Sequence, residues 1–270
     1  MSVPIALTIA GSDSGGGAGI QADIKAMSAL GVYAASVITA LTAQNTCKVQ
    51  SIYPVSTDFI QDQIHTVFED LDIKAVKIGM LGTPAVIQAV ADAMSHYPET
   101  PVVLDPVMVA KSGDKLLQDD AIESLKEHLL PKAAIITPNL PEAAELTGMK
   151  EPTSLEEMRE ILEVFKEMQI KSILLKGGHL GGDTSDDLFF DGQTDRCLSS
   201  PRINTANSHG TGCTLSASIA AGLAKGLPLV DAVTQGKAYL SKALQHADTL
   251  GVGKGHGPVH HFHAFWPEKV

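Results

Sequence analysis

Short apolar runs that alternate with longer amphipathic stretches govern what this chain can fold into. Residues 6–10 (ALTIA) form a run of strand length, and after a glycine-rich turn Ile20, Ile24 and Met27 recur at helical spacing. The next strand is expected at 36–41, and Ile60, Ile64, Val67, Phe68 and Leu71 then mark one face of a helix. The pattern continues with strands at 75–78, 102–104 and 134–136 and helices at 84–95 and 121–130. Thr153 and Ser154 each precede a glutamate by three, a capping box that opens a helix to about 168, and 172–175 is a further strand. Strands of about four to six apolar residues between helices of about ten to fifteen mean βαβ units. The expected sheet is therefore mostly parallel and covered on both faces.

One segment departs from the pattern. Residues 187–199 (DLFFDGQTDRCLS) place an Asp191-Gly192 turn between strand-like runs, an antiparallel hairpin at a sheet edge. After it come Gly210-Thr211-Gly212-Cys213, a small-residue helix to about 225 and a last helix from 229 to about 246. No fixed-period repeat and no low-complexity linker interrupts the series, so residues 1–270 are expected to form a single domain.

Composition narrows the partners. Lys and Arg total 20 against 31 Asp and Glu, a formal charge of −11, which disfavours general binding to nucleic acid or to an anionic membrane. An anionic substrate must then be held by a local site. The longest weakly polar stretch, 29–43, carries Gly31, Ser36, Thr39 and Thr42 and is too short to span a bilayer. The first basic residue is Lys25, so no secretory signal is expected. Three widely spaced cysteines, Cys47, Cys197 and Cys213, fit a reducing, cytoplasmic setting and no disulfide framework.

In an open parallel sheet the ligand lies beyond the carboxyl ends of the strands. Here those ends carry 11–19, Gln44-Asn45, Gly79-Met80, Asp105-Pro106, 137–139 and 176–178. Turn geometry alone accounts for any one of these; six polar turns on one edge point to a site. Gly17-x-Gly19-x-x-Ala22 matches the degenerate dinucleotide fingerprint, yet no acid stands between Asp23 and Asp58 to hold a ribose, and no segment matches the Walker pattern. What remains is either a glycine turn that lets backbone approach a small ligand or a merely tight turn.

The segment His209 to Cys213 is more telling. Two glycines and a threonine ahead of a helix expose free backbone N–H groups, and the helix dipole adds partial positive charge, a nest suited to a transferring phosphoryl group. Cys213 falls in the first turn of that helix, where its thiol pKa is expected to be lowered; the alternative is a small buried hydrophobe. Asn139 and Glu142, three apart at a helix start and near Asp105, supply hard oxygen ligands for Mg²⁺ or its waters, although Asn139 is also a plain N-cap. Lys176 either snorkels to the surface or reaches a phosphate. The histidines at 256, 260, 261 and 263 match no zinc spacing, so aromatic packing of the tail is the expectation.

Taken together, the sequence resembles the hydroxymethylpyrimidine/phosphomethylpyrimidine kinases of thiamin biosynthesis, in the ribokinase-like superfamily. The segments that carry the likeness are ALTIAGSDSGGGAGIQADIKA (6–26), VITALTAQNT (37–46), KIGML (77–81), VVLDPVMVAKSGDKLL (102–117), ITPNLPEAAEL (136–146), LLKGGHL (174–180), NSHGTGCTLSASIA (207–220) and GKGHGPVHHFHAFW (253–266). The resemblance implies a three-layer α/β/α fold, a homodimer, and an ATP- and Mg²⁺-dependent kinase that phosphorylates a pyrimidine alcohol and then its monophosphate. It further implies that Gln44 binds the pyrimidine, with Gly11, Asp23, Met80 and Val107 lining its pocket. Gly210, Thr211, Gly212 and Cys213 match the anion hole, with Cys213 where much of the superfamily has an aspartate base. Asp105, Asn139 and Glu142 would hold the Mg²⁺–phosphate cluster, and Lys176, Asn139 and Thr211 the phosphates of ATP. Residues 181–186 and 194–200 are not distinctive, so the resemblance assigns no adenine contacts. The rivals are a pyridoxal kinase on the same scaffold and a catalytically silent pyrimidine-binding module; the glycine nest, Cys213 and Lys176 argue against the latter.

Overall fold

The computed structural model describes residues 2–109, 116–178 and 180–266; residues 110–115 and His179, which fall within two of the segments quoted above, lie outside the described residues. The first half of the chain runs β1 (Ile5–Asp13), α1 (Gly19–Ala29), β2 (Tyr33–Gln44), β3 (Val49–Pro54), α2 (Thr57–Asp70), β4 (Ile73–Ile78), α3 (Pro84–Met94), β5 (Val102–Leu104) and α4 (Asp119–His128). The second runs β6 (Ile135–Ile136), α5 (Leu140–Thr147), α6 (Leu155–Glu167), β7 (Ile173–Leu175), β8 (Thr184–Phe190), β9 (Asp195–Pro201), α7 (Thr211–Ala224) and α8 (Leu229–Gln245).

The strands form one sheet in the order β3-β2-β1-β4-β5-β6-β7-β8-β9. Strands β1, β2, β4, β5, β6 and β7 are parallel, while β8 and β9 form the expected antiparallel hairpin. The opposite edge holds a second antiparallel strand that the hydrophobic pattern does not announce. Strand β3 (VQSIYP) is almost wholly exposed, so it buries no apolar face, and β2 extends to Gln44 because it pairs with β3 as well as β1.

Successive side chains of a strand point to opposite faces, and the two faces are covered by different helices. Leu7 and Ile9 of β1 belong to one apolar cluster with Ile60 and Ile64 of α2, residues of α3, and Phe165 of α6 further along the sheet. Ala6 and Ala75 pack instead with Ala26 and Met27 of α1 and with α7 and α8. The result is the three-layer α/β/α arrangement. Helix starts follow their local signals. Ser154 accepts the Glu157 N–H as the N-cap of α6, but the Glu157 carboxylate reaches one residue further back, to the Thr153 N–H at 2.6 Å and the Thr153 hydroxyl, so the expected reciprocal box is made with Thr153 in place of the Ser154 N–H. Because the six parallel strands point the same way, their carboxyl ends bring Asp13, Gln44, Gly79, Asp105, Thr137 and Lys176 to one edge.

Candidate active site

The turn after β1 is built around one carboxylate. Asp13 Oδ1 accepts the Gly15 N–H at 2.8 Å, and Oδ2 accepts those of Gly17 and Ala18 at 3.0 and 2.8 Å. His209 Nε2 lies 2.9 Å from the same Oδ2. Burial works against ionisation of Asp13, but the bonds from His209 and these amides outweigh it and hold the carboxyl below its ordinary value. The clasp draws two glycine segments into contact. A Cβ on Gly210, whose φ is +81°, would lie 1.9 Å from the Gly17 carbonyl oxygen, and one on Gly19 2.3 Å from the Gly11 carbonyl oxygen. Side chains are excluded at both positions by contact as well as by conformation.

Helix α7 begins on that clasp, with Gly210 as its left-handed N-cap. Helix geometry leaves the first amides, including those of Gly212 and Cys213, without an intrahelical acceptor. A Cβ on Gly212 would lie 3.4 Å from both Lys176 Nζ and Asp105 Oδ2, so the nest opens directly onto these two charges. Lys176 Nζ donates to Asp105 Oδ1 at 3.0 Å and stands 4.0 Å from a Glu142 oxygen. It turns inward instead of snorkelling to the surface. Thr137 and Ser216 also donate to Asp105, at 3.1 and 3.3 Å. Burial would raise the Asp105 pKa, yet Lys176 and Lys77 bring it below the ordinary value. Glu142 is pushed up to about 7 by burial, which the more distant Lys176 only partly offsets. Asn139 Oδ1 accepts the Glu142 N–H at 2.9 Å and the Glu142 carboxylate accepts the Asn139 N–H at 2.8 Å. The amide oxygen is thus engaged in a capping box, and the NH₂ end is the part left for a ligand.

Two cavities meet here. One, of about 510 Å³, is lined by Gly11, Gln44, Met80 and Val107 at one end and by Asp105, Glu142 and residues 210–213 at the other. The second, of about 350 Å³, is lined by Asp187, Arg202, Lys237 and Leu240. Asn139, Lys176, Thr211 and Gly212 belong to the walls of both. Every site residue expected from the sequence is therefore brought together here, with one exception. Asp23 does not line the cavity: it is fully buried beneath it, where it accepts hydrogen bonds from Lys77 Nζ at 2.8 Å and Thr8 Oγ1 at 2.6 Å. A second expectation is reversed at Cys213. Burial pushes its thiol up to about 11, more than Lys77 and the Gly19 amide pull it down. The N-terminal turn alone does not make this sulfur a thiolate.

Several residues of the site escaped the sequence reading. Asp13 lay unremarked in the first glycine turn and His209 immediately before the nest, and neither hints in sequence at a partner 196 positions away. Lys77 carried a signal, a lysine inside an apolar strand run. Asp187 accepts from Lys237 Nζ at 2.6 Å and from the Gly177 N–H at 2.9 Å, which fixes the turn that bears Lys176. The tail packs as expected: His261 is buried, its pKa lowered to about 3 by burial, with Nε2 2.9 Å from Thr214 Oγ1. Among the described residues no group of three or more His, Cys, Asp or Glu is placed to hold a metal ion by itself.

A three-layer α/β/α fold with an anion nest between two cavities defines a small-molecule kinase of the ribokinase-like type. Comparison with known proteins agrees. A family model for phosphomethylpyrimidine kinase matches residues 13–260, and the chain belongs to that family. It is 56% identical over 264 residues to a hydroxymethylpyrimidine/phosphomethylpyrimidine kinase of Rhizobium meliloti, covering 98% of this chain and 99% of that one. Among solved structures, phosphomethylpyrimidine kinase from Clostridium difficile superposes with a TM-score of 0.78 at 42% identity over 89% of this chain and 99% of that one. An ADP complex of Bacillus subtilis pyridoxal kinase gives 0.89 at 35% identity, over 97% of this chain and 99% of the other.

Proposed function

We infer that the protein uses ATP to phosphorylate 4-amino-5-hydroxymethyl-2-methylpyrimidine, and then the resulting monophosphate to the diphosphate, in thiamin biosynthesis. The observation that carries this reading is the shared wall of the two cavities. A pyrimidine in the larger cavity and a nucleotide in the smaller one would meet at Lys176, Asn139, Thr211 and Gly212. The Gln44 amide offers a donor and an acceptor to a ring nitrogen and its neighbouring amine. Gly11, Met80 and Val107 line the same cavity with apolar surface. The nest and Lys176 hold the transferred group in line, which is most of what phosphoryl transfer asks of a protein.

The carboxylates suit Mg²⁺, which is held by one or two protein oxygens together with waters and substrate phosphates. Asp105 and Glu142 converge on Lys176 and would take the ion, with the Asn139 amide donating to a phosphate. When bound, Mg²⁺ neutralises charge on the phosphate oxygens. We further propose one kinase domain over residues 1–270, a cytoplasmic location and a homodimer. Free cysteines at 47, 197 and 213 support the location, and exposed Leu41, Ile52, Tyr53 and Phe59 around β2, β3 and α2 support self-association. Among the described residues no helix is long and apolar enough to cross a membrane.

The likeness to a pyridoxal kinase structure favours pyridoxal phosphorylation as the second reading. Coupled ADP release with the pyrimidine alcohol, its monophosphate and pyridoxal side by side tests both. The expected result is efficient release with both pyrimidines and slower release with pyridoxal. Turnover of pyridoxal alone overturns the assignment, and binding of the alcohol without ADP release makes the protein a binding module.

A further inference from the structure

Among the described residues Lys77 is the largest side chain buried without any exposure, and no step above uses it. It stands on β4, on the same face as Ala75, and points into the layer formed by α1 and α7. Burying an ammonium and a carboxylate is costly, and a pair of well-packed apolar side chains fills such a space with equal or greater stability. The pair is also incompletely satisfied. Asp23 Oδ2 takes both the Lys77 ammonium and the Thr8 hydroxyl, while Oδ1 has no hydrogen-bond partner. Room for the ammonium is reserved: a Cβ on Gly79 would lie 2.7 Å from Lys77 Nζ. An arrangement with these costs needs a return.

The return lies at the cavity wall. Lys77 lines the larger cavity beside Gly19 and Cys213, and the Gly19 amide donates to the Cys213 sulfur. The charged groups that face this sulfur are Lys77 from β4, Asp23 from α1, Asp105 from the end of β5 and Lys176 from the end of β7. Of these, Lys77 acts most strongly to favour the thiolate, and its own proton is secured because Asp23, Cys213 and Asp105 together outweigh the burial that would remove it.

We propose that Lys77 is a positioning residue for Cys213: locked by Asp23 beneath the first turn of α7, its ammonium is the fixed counter-charge for the cysteine sulfur. In the reaction this rests on the reading given above. From the fraction of the protein in which Cys213 is ionised, the acceptor hydroxyl passes its proton to the thiolate as its oxygen bonds to the γ-phosphorus, and ADP leaves with the electron pair of the broken bond. Lys77 keeps its proton throughout. The second phosphorylation, whose acceptor is already anionic, makes no use of it.

The test reads the sulfur directly and needs no substrate, so it can fail independently of the functional assignment. In a Cys47→Ser, Cys197→Ser background, the rate of Cys213 alkylation by iodoacetamide is followed against pH by mass spectrometry. Lys77→Met is compared with Lys77→Met/Asp23→Asn, which also removes the carboxylate that the single change leaves unpaired. The expected result at pH 8 is alkylation slowed about tenfold in the single variant, the loss of thiolate that follows when the sulfur titrates about one pH unit higher, and slowed by less in the double, because Asp23 opposes the thiolate but more weakly than Lys77 favours it. A merely structural role loosens the packing and speeds alkylation. An unchanged or faster rate in the double variant overturns the proposal, whether or not the single variant folds. In the kinase assay, the same variants should lose the alcohol reaction at neutral pH and regain part of it at high pH, with the monophosphate reaction little altered.

Discussion

His209 Nε2 lies 2.9 Å from Asp13 Oδ2, and the same carboxylate gathers the amides of Gly15, Gly17 and Ala18. One side chain therefore fixes the turn after β1 and ties it to the nest at the head of α7. Truncation would leave the buried Gly17 amide, the half-buried Ala18 amide and the His209 imidazole without their acceptor, while the exposed Gly15 amide can turn to water, and each buried polar group so orphaned costs about 1–3 kcal/mol. Asp13→Ala is expected to lower the melting temperature by roughly 6–12 °C, at about 2–4 °C per kcal/mol for a chain of this size class. A thermal melt that falls by less than about 2 °C would mean that the clasp holds nothing.

Gln44 ends β2, with its backbone N–H and carbonyl both bonded to the Ser14 hydroxyl at 2.9 Å. Those bonds survive truncation of the side chain, so Gln44→Ala should keep its fold. Loss of the amide would leave pyrimidine polar groups unpaired, at about 1–3 kcal/mol each. The apparent constant for the pyrimidine is expected to rise roughly tenfold or more, a factor that 1.4 kcal/mol supplies, while that for ATP stays near the parent value. A raised ATP constant with an unchanged pyrimidine constant would contradict the assignment.

The pH dependence of stability should carry the mark of Glu142. Its carboxyl is raised from 4.5 to about 7 by burial, so between those values the folded state holds a proton that the unfolded chain has released. Stability from this group is complete below the unfolded value and is lost as pH rises through about 7. The loss is on the order of 1–3 kcal/mol. Glu142→Gln keeps an acceptor for the Asn139 amide and removes the titration. Its melting temperature should stay level from pH 5 to 8 where that of the parent declines. Parallel curves would place the titration elsewhere.

Asp105 differs because Lys176 and Lys77 keep it ionised, and the Thr137 and Ser216 hydroxyls orient it. Asp105→Asn keeps an oxygen to accept from Thr137 and Lys176, turns an NH₂ toward the Ser216 hydroxyl in place of the second oxygen, and removes the charge. The Mg²⁺ concentration for half-maximal ADP release is expected to rise about tenfold or more, since oxygen ligand charge sets affinity for a hard cation. An unchanged midpoint in both Asp105→Asn and Glu142→Gln would remove the carboxylates from the metal site.

What the sequence disclosed and what it withheld divide along a physical line. The six parallel strands and the β8–β9 hairpin were legible because burial on two faces leaves continuous apolar runs, and Asp191-Gly192 marks its own turn. Strand β3 was not, because an edge strand with both faces in solvent carries no such run. The residues at strand ends were legible as a set, since the parallel sheet delivers them to one edge. The environment of a side chain was not. Asp23 matched a pocket position yet points away from the cavity into Lys77, and Cys213 follows two glycines at a helix start yet is held as a thiol by burial. Helix position and spacing are local quantities, whereas desolvation depends on what the rest of the chain packs around a group.

That environment sharpens what Cys213 is expected to do. With its thiol raised to about 11, only a small fraction is ionised near neutrality, and that fraction grows about tenfold with each pH unit. If the sulfur accepts the proton of the alcohol, the rate of the first phosphorylation should climb with pH above neutrality. The second phosphorylation starts from an anionic oxygen and should stay level over the same range. Cys213→Ala leaves the backbone nest intact, so it should depress the first reaction and flatten its pH profile. The depression should lie toward the small end of the roughly 10²–10⁴-fold typical of general bases, because phosphoryl transfer is loose and relies on positioning. Removal of a merely structural thiol would instead slow both reactions together and lower the melting temperature. Measuring both rates from pH 6.5 to 9.5 alongside a thermal melt separates the two cases. A slope that persists in Cys213→Ala retires the sulfur as the proton acceptor.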